Sequence, residues 1–291
     1  MATNAAPVLV LRPGTVEDAE PCGRICYEAF ATLATGHGFP PDFPSPEVAI
    51  EVLSGLLCHS GFYSVVAERD GAIVGSNFLD ERSRIAGVGP ITVDPAAQNV
   101  GVGRQLMIAV LERARDRPLS GVRLLQASYH TRSLSLYARL GFHVREAVAT
   151  LQGAPVAAGI AGYSVRVATV EDLRACDRVC LLVHGHDRSG EVLDAIRQGQ
   201  AKVVEHDGRI TGYTTGIAFF AHAVGETNED IKALIGAASE FGGPGFLLPV
   251  RNAELFRWCL ERDLKVIQVM TLMTLGLYNE PTGAYLPSIL F

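Results

Sequence analysis

Gly101 and Gly103 stand behind a β-branched run, Ile91, Thr92 and Val93, and a turn at Asp94 and Pro95. Glycine reaches backbone angles closed to other residues and offers no Cβ to obstruct an anion. Residues 104–115 then place Leu106, Val110, Leu111 and Ala114 at helical spacing, so a helix is expected to open near Arg104. In such a strand–loop–helix the amides of Val100, Gly101, Val102, Gly103 and Arg104 can converge on phosphate oxygens at the positive end of the helix dipole. Gln98 and Asn99 complete the loop. The chemistry on offer is the holding of a pyrophosphate without a side-chain cation. A Gly-x-Gly pair alone is as well read as a tight turn, so its context matters.

That context is a second strand at 121–128 followed by Ser133, Leu136, Tyr137, Gly141 and Phe142. The two segments together resemble the GNAT superfamily of N-acetyltransferases. The family's Gln/Arg-x-x-Gly-x-Gly/Ala loop is matched from Gln98 to Gly103, and its second signature at Leu136, Tyr137, Gly141 and Phe142. Two positions depart from it: His130 stands where Asn is usual, and Ser133 where Ala is usual. The resemblance covers roughly residues 8–150 and implies acetyl-CoA as co-substrate. It implies cofactor contacts at Ile91, Thr92 and Val93, at Gln98, Asn99, Val100, Gly101, Val102, Gly103 and Arg104, and at His130 and Ser133. A main-chain N–H near Ile91 would polarise the thioester carbonyl. Tyr137 aligns with the tyrosine that protonates the leaving thiolate, and a phenol titrating at about 10 keeps its proton at neutral pH.

A general base is not legible, because Gly87, Val88, Gly89 and Pro90 offer no carboxylate where the family often has Glu. Asp80 and Glu81 are candidates acting through a water, and equally candidates for solvated surface charges. His130 is another, although at an Asn position it is read as making a structural hydrogen bond. The terminal carboxylate of Phe291 is a further one, on an apolar tail, 285–291, that is expected to dock, most simply as packing of the second domain. No metal is expected. His184, His186 and Asp187 fall in a loop without further ligands, and Cys22, Cys26, Cys176 and Cys180 lie on apolar helix faces as small hydrophobes.

The elements that position these groups follow in order. Residues 8–12 read as a strand, and Thr15 caps a helix with Asp18 at capping-box spacing. Cys22, Ile25, Cys26 and Phe30 form that helix's buried face. Residues 35–46 are a Gly/Pro-rich loop, which the resemblance puts beside the acceptor, and 48–57 a second helix. Segments 62–68 and 73–79 form a hairpin about Asp70 and Gly71. A polar connection (80–84), a strand (87–93), a strand (122–127), a helix (132–140), a strand (143–151) and a linker (154–162) complete the first half.

The second half repeats the first. Thr15, Asp18, Cys22, Arg24 and Cys26 recur at one common offset as Thr169, Asp172, Cys176, Arg178 and Cys180. The hairpin Asp70, Gly71, Gly75 recurs as Asp207, Gly208, Gly212 after a shorter connection. Such self-similarity implies a duplicated folding unit. In the second copy, after a strand around 213–219, Glu226, Glu229 and Asp230 stand where phosphates would lie and are expected to repel them. Cys259 takes the tyrosine position. The expected fold is α/β: two tandem GNAT-like domains, each a mostly antiparallel sheet flanked by helices. Residues 1–155 would be the catalytic domain and 156–291 a degenerate copy.

Composition bounds the partners. A net charge of −6 argues against general nucleic-acid binding. No apolar run is long enough to span a bilayer. Six cysteines without a Cys-x-x-Cys pair, and a start at residues 1–6 without basic charge, point to a cytoplasmic protein. The function expected is acetyl-CoA-dependent N-acetylation of a small-molecule primary amine by direct attack. The alternatives are an acyl-CoA-binding sensor without turnover, or a protein or peptide N-acetyltransferase. A homodimer is compatible with all three.

Overall fold

The computed structural model describes residues 9–291; the expectations for Val8 and for residues 1–6 lie outside them. The chain divides into two compact units. One holds the residues up to Glu81 together with Gly87–Pro118, the other Arg82–Ala86 together with Leu119–Phe291.

The first unit runs β1 (Leu9–Pro13), α1 (Ala19–Gly36), α2 (Pro46–Cys58), β2 (Phe62–Arg69), β3 (Ala72–Asp80), the end of β4 (Ile85–Val88), β5 (Thr92–Val93) and α3 (Val102–Arg115). Strands β1, β2 and β3 pair antiparallel in that order, and β4 and β5 both pair with β3. Alternation along β3 separates two helical layers. Phe78 joins Cys22, Cys26, Ala49 and Leu53 in a buried cluster beneath α1 and α2. Its neighbour Asn77 points the other way and donates to the Leu106 carbonyl of α3. The capping box at Thr15 and Asp18 forms as expected. The hairpin turns through Asp70 and Gly71, both with positive φ (52° and 80°).

One expected strand, 87–93, is divided. β4 pairs with β3 at Leu79 and Asp80, and β5 at Gly75 and Ser76. Between them Pro90 has no N–H to give the ladder, and the Phe78 N–H turns to the side chain of Asn77 at 2.9 Å. Asp80 and Glu81 are not solvated charges. Asp80 is buried at the end of β3, and Glu81 is held by Arg113 at 2.7 and 2.9 Å.

The second unit contains β6 (Gly121–Ala127), α4 (Thr131–Arg139), β7 (His143–Gln152), β8 (Tyr163–Val167), α5 (Leu173–His184), α6 (Ser189–Arg197), β9 (Lys202–His206), β10 (Arg209–Thr214), β11 (Ala223–Gly225), α7 (Asn228–Gly236), β12 (Phe246–Pro249), α8 (Ala253–Leu260), β13 (Lys265–Gly276) and β14 (Ala284–Leu286). The strand expected over 213–219 ends at Thr214. Strands β14, β11, β10, β9 and β8 form one sheet in that order. Val203, Tyr213 and Val224 face α5 and α6. Val204 and Ala223 face the opposite layer, with Ile231, Leu255 and Cys259.

The other strands run β6–β13–β7–β12, all antiparallel. β13, from the second sequence copy, lies between two strands of the first, and β7, from the first, lies between two strands of the second. This exchange is why the compact units do not follow the sequence copies. The duplication also reaches the side chains. Arg12 binds Asp18 and Glu68, and Arg166 binds Asp172 and Glu205 in the same way.

Candidate functional site

In the first unit the glycine loop is built by local hydrogen bonds. Asp94 accepts from the Ala96 N–H at 2.8 Å, and the Gln98 amide donates to the Val93 carbonyl at 3.1 Å. Asn99 (φ 67°) and Gly101 (φ 91°) are both left-handed, a conformation that glycine and asparagine accept most readily. α3 begins at Val102 rather than near Arg104, so Gly103 lies in its first turn, not in the loop. The first helical bond runs from the Gln105 N–H to the Gly101 carbonyl. The amides of Val102, Gly103 and Arg104 come before it and have no helical acceptor. No acidic residue stands in that first turn. A Cβ at Gly101 would meet nothing within 4 Å, so an anion has room to approach, and the residues present fit a phosphate group. Thr92 is buried against Ser76, and Ile91 lies outside any strand, between β4 and β5.

The second group lies in the other unit, on α4. His130 is the residue before the helix, and its Nδ1 is hydrogen-bonded to the Ser133 hydroxyl at 2.7 Å. Ser133 and Tyr137 lie one turn apart on the same helix. Tyr137 is buried, its ring edge-on to Phe142. Burial pushes the phenol up to about 12, and Ser133 only partly offsets this. At neutral pH the hydroxyl therefore carries its proton and can donate it. The structural bond read for His130 is present. What sequence reading missed is that both departures from the signature, His130 and Ser133, bond to each other on the helix that carries Tyr137. The spacing 130, 133, 137 was the signal, since it falls on one helix face.

The second copy is arranged differently at the equivalent place. Its acidic residues do not stand free to repel an anion. Asp230 is buried and caps α7, accepting from the Thr227 N–H and hydroxyl at 2.8 Å and from the Thr211 hydroxyl. Glu226 is paired with Arg209, and Glu229 with Lys232. The first turn of α7 thus already holds two carboxylates, Glu229 and Asp230, at the positive end of its dipole. β14 pairs with β11 and lies against β12, filling the edge that a ligand strand would use. A cavity of about 360 Å³ remains beside it, lined by Glu226, Asn228, Arg251, Asn252 and Tyr285. Among the described residues no group of three or more His, Cys, Asp or Glu is placed to hold a metal ion, and no helix is long and apolar enough to cross a membrane.

Comparison with known proteins agrees with this architecture. Residues 32–142 match the acetyltransferase (GNAT) family, and the chain carries a GNAT acetyltransferase domain. A mycothiol acetyltransferase of Thermomonospora curvata is 37% identical over 91 residues, 31% of this chain and 30% of that protein. The chain thus covers about a third of the length of the curated relatives it matches. A crystal structure from Pyrococcus horikoshii superposes with a TM-score of 0.75 over 98% of this chain and 96% of its own, at 16% identity. A tandem GNAT protein of the clavulanic acid biosynthesis pathway gives 0.59 over 92% and 98%, also at 16% identity. At that identity the likeness establishes the fold alone, mixed α/β layers of mostly antiparallel sheet flanked by helices.

Proposed function

We propose that the protein is an acetyl-CoA-dependent N-acetyltransferase that acetylates a primary amine of a small molecule in the cytoplasm. The observation that carries this reading is the GNAT glycine loop, open at Gly101, with amides before Gln105 that have no helical acceptor; in its own unit Tyr137 is buried and protonated. Acetyl-CoA, when bound, supplies the acetyl thioester. The amides of Val102, Gly103 and Arg104 bind its pyrophosphate, with Gln98, Asn99 and Val100 shaping the loop. Ile91, Thr92 and Val93 lie along the pantetheine arm, and the Ile91 N–H donates to the thioester carbonyl. The Tyr137 hydroxyl gives its proton to the departing thiolate. The relatives' name, mycothiol acetyltransferase, supports a small-molecule acceptor. By sequence copy, residues 1–155 carry the catalytic part. Residues 156–291 are a degenerate copy, in which α7 carries Glu229 and Asp230 in its first turn and β11 is already paired with β14.

The test is thiol release from acetyl-CoA across a panel of small primary amines, for wild type and Tyr137→Phe. Removing the hydroxyl lowers turnover about 10²–10⁴-fold and leaves acetyl-CoA affinity unchanged. Equal turnover in the two proteins removes Tyr137 as the acid.

A further inference from the structure

Arg123 on β6 is about 1% exposed, yet its Nε and Nη2 have no hydrogen-bond partner. A buried guanidinium without a counter-charge is costly, and such groups are normally paired. Arg188, also buried, adds a like charge that disfavours it further. Arg188 is itself satisfied by Glu191, through Nε and Nη2 at 2.7 and 2.6 Å. Glu191 also faces His222, 3.2 Å from its Nδ1, so it is fully engaged.

The unpaired atoms of Arg123 are informative because of which ones they are. Nε and Nη2 form the side-on edge of the guanidinium, two parallel donors that match the two oxygens of a carboxylate. The protein fills that same edge with a carboxylate at Arg188 (Glu191) and again at Arg113 (Glu81). At Arg123 the edge is open.

Its surroundings are aromatic and imidazole groups. The Phe291 ring lies 4.0 Å from the Arg123 guanidinium carbon and 4.8 Å from that of Arg188, and Tyr278 lies 5.3 Å from Arg123. His184 and His186 are buried with ring centroids 5.6 Å apart, His184 against Tyr285 and His186 against Phe291. Both ring nitrogens of His184 and Nε2 of His186 also lack partners. His184 thus ends α5 rather than lying in the loop, whereas His186 is in the loop as read, and both are buried. Burial holds His186 down to about 4 and His184 lower than its usual range, so both are neutral and can donate one hydrogen bond each.

We propose that this cluster is a carboxylate-binding site: the Nε/Nη2 edge of Arg123 takes the carboxylate of a small apolar monocarboxylic acid, with His184 and His186 as additional hydrogen-bonding groups. Phe291, which covers Arg123, gives way to admit the ligand, and its ring together with Tyr278 packs the ligand's apolar body. The site stands independently of acetyl transfer.

The experiment uses the full chain, with benzoate, hexanoate and acetate set against benzamide, hexanamide and acetamide at matched ionic strength. Binding is read by titration calorimetry and by the rise in melting temperature. An apolar carboxylate binds and raises the melting temperature with concentration, whereas its amide does not. Arg123→Lys keeps the charge but loses the fork, and lowers affinity about tenfold or more. In the wild type, the ¹⁵Nε resonance of Arg123 shifts on titration with the carboxylate, a readout that needs no variant to fold. The proposal is overturned if no carboxylate of the panel binds better than its amide, if folded Arg123→Lys binds as tightly as wild type, or if the Nε resonance does not move.

Discussion

Cutting the chain after Pro155 removes the whole second copy, and the structure predicts that the remaining GNAT segment does not fold. The cut takes away β13, which pairs with β6 on one side and β7 on the other. Met270, Leu272 and Met273 on β13 are essentially buried. Each buried side chain of this size contributes about 1.5–3 kcal/mol, so losing these three alone costs about 5–9 kcal/mol. That is comparable with the roughly 5–15 kcal/mol that holds an ordinary domain folded, before the newly opened strand edges of β6 and β7 are counted. The assay is expression of residues 1–155 beside the full chain, followed by size exclusion, near-ultraviolet circular dichroism and thermal melting. The expected result is an insoluble or molten product without a cooperative transition. A soluble monomer that melts cooperatively near the full-length temperature would refute the interlocked account. The second copy would then have no structural role in the first.

Other outcomes follow from the same geometry. Gly101→Val forces a β-branched residue to φ 91° with no clash to hide the effect. It should cost about 1–2 kcal/mol of stability or more and weaken acetyl-CoA binding at least about tenfold. Gly71→Val, equally left-handed but in the hairpin turn, should match it in melting temperature and leave binding intact; equal binding by both variants would mean the loop does not hold the cofactor. The Arg166 guanidinium holds Asp172 down to about 2, from an ordinary 3.8. A depressed carboxylate stabilises the fold above its unfolded value, and that stabilisation is lost as pH falls through the folded one. Melting temperature should therefore drop between pH 4 and 2, and Asp172→Asn should flatten that slope while lowering stability at neutral pH. A wild-type slope retained in Asp172→Asn would assign the acid sensitivity to other carboxylates.

Sequence was most informative where the signal is local. The capping boxes at Thr15 and Thr169, the Asp70 and Asp207 turns and the apolar face of α3 depend on neighbours a few positions apart, and all are present as read. The strand exchange was not legible. β13 has the same apolar pattern whichever strands it pairs with, and its partners lie more than a hundred residues away in sequence. The start of α3 moved by two residues because Gly103 sits as readily in a first helical turn as in a loop. Nor does one sequence reveal that Arg12 and Arg166 tie each first strand to its cap, because an arginine on an edge strand looks like ordinary solvated charge. Between the two readings open for Asp80 and Glu81 the sequence could not choose, for a similar reason: the arginine that neutralises Glu81 is on α3, brought near only by the fold.

If one copy of the duplicated unit holds the cofactor and the other does not, calorimetric titration of the full chain with acetyl-CoA gives one site per chain. That site is abolished by Gly103→Glu, which puts a carboxylate in the first turn of α3. Two sites per chain would contradict the closed second copy, and no binding would contradict the glycine loop.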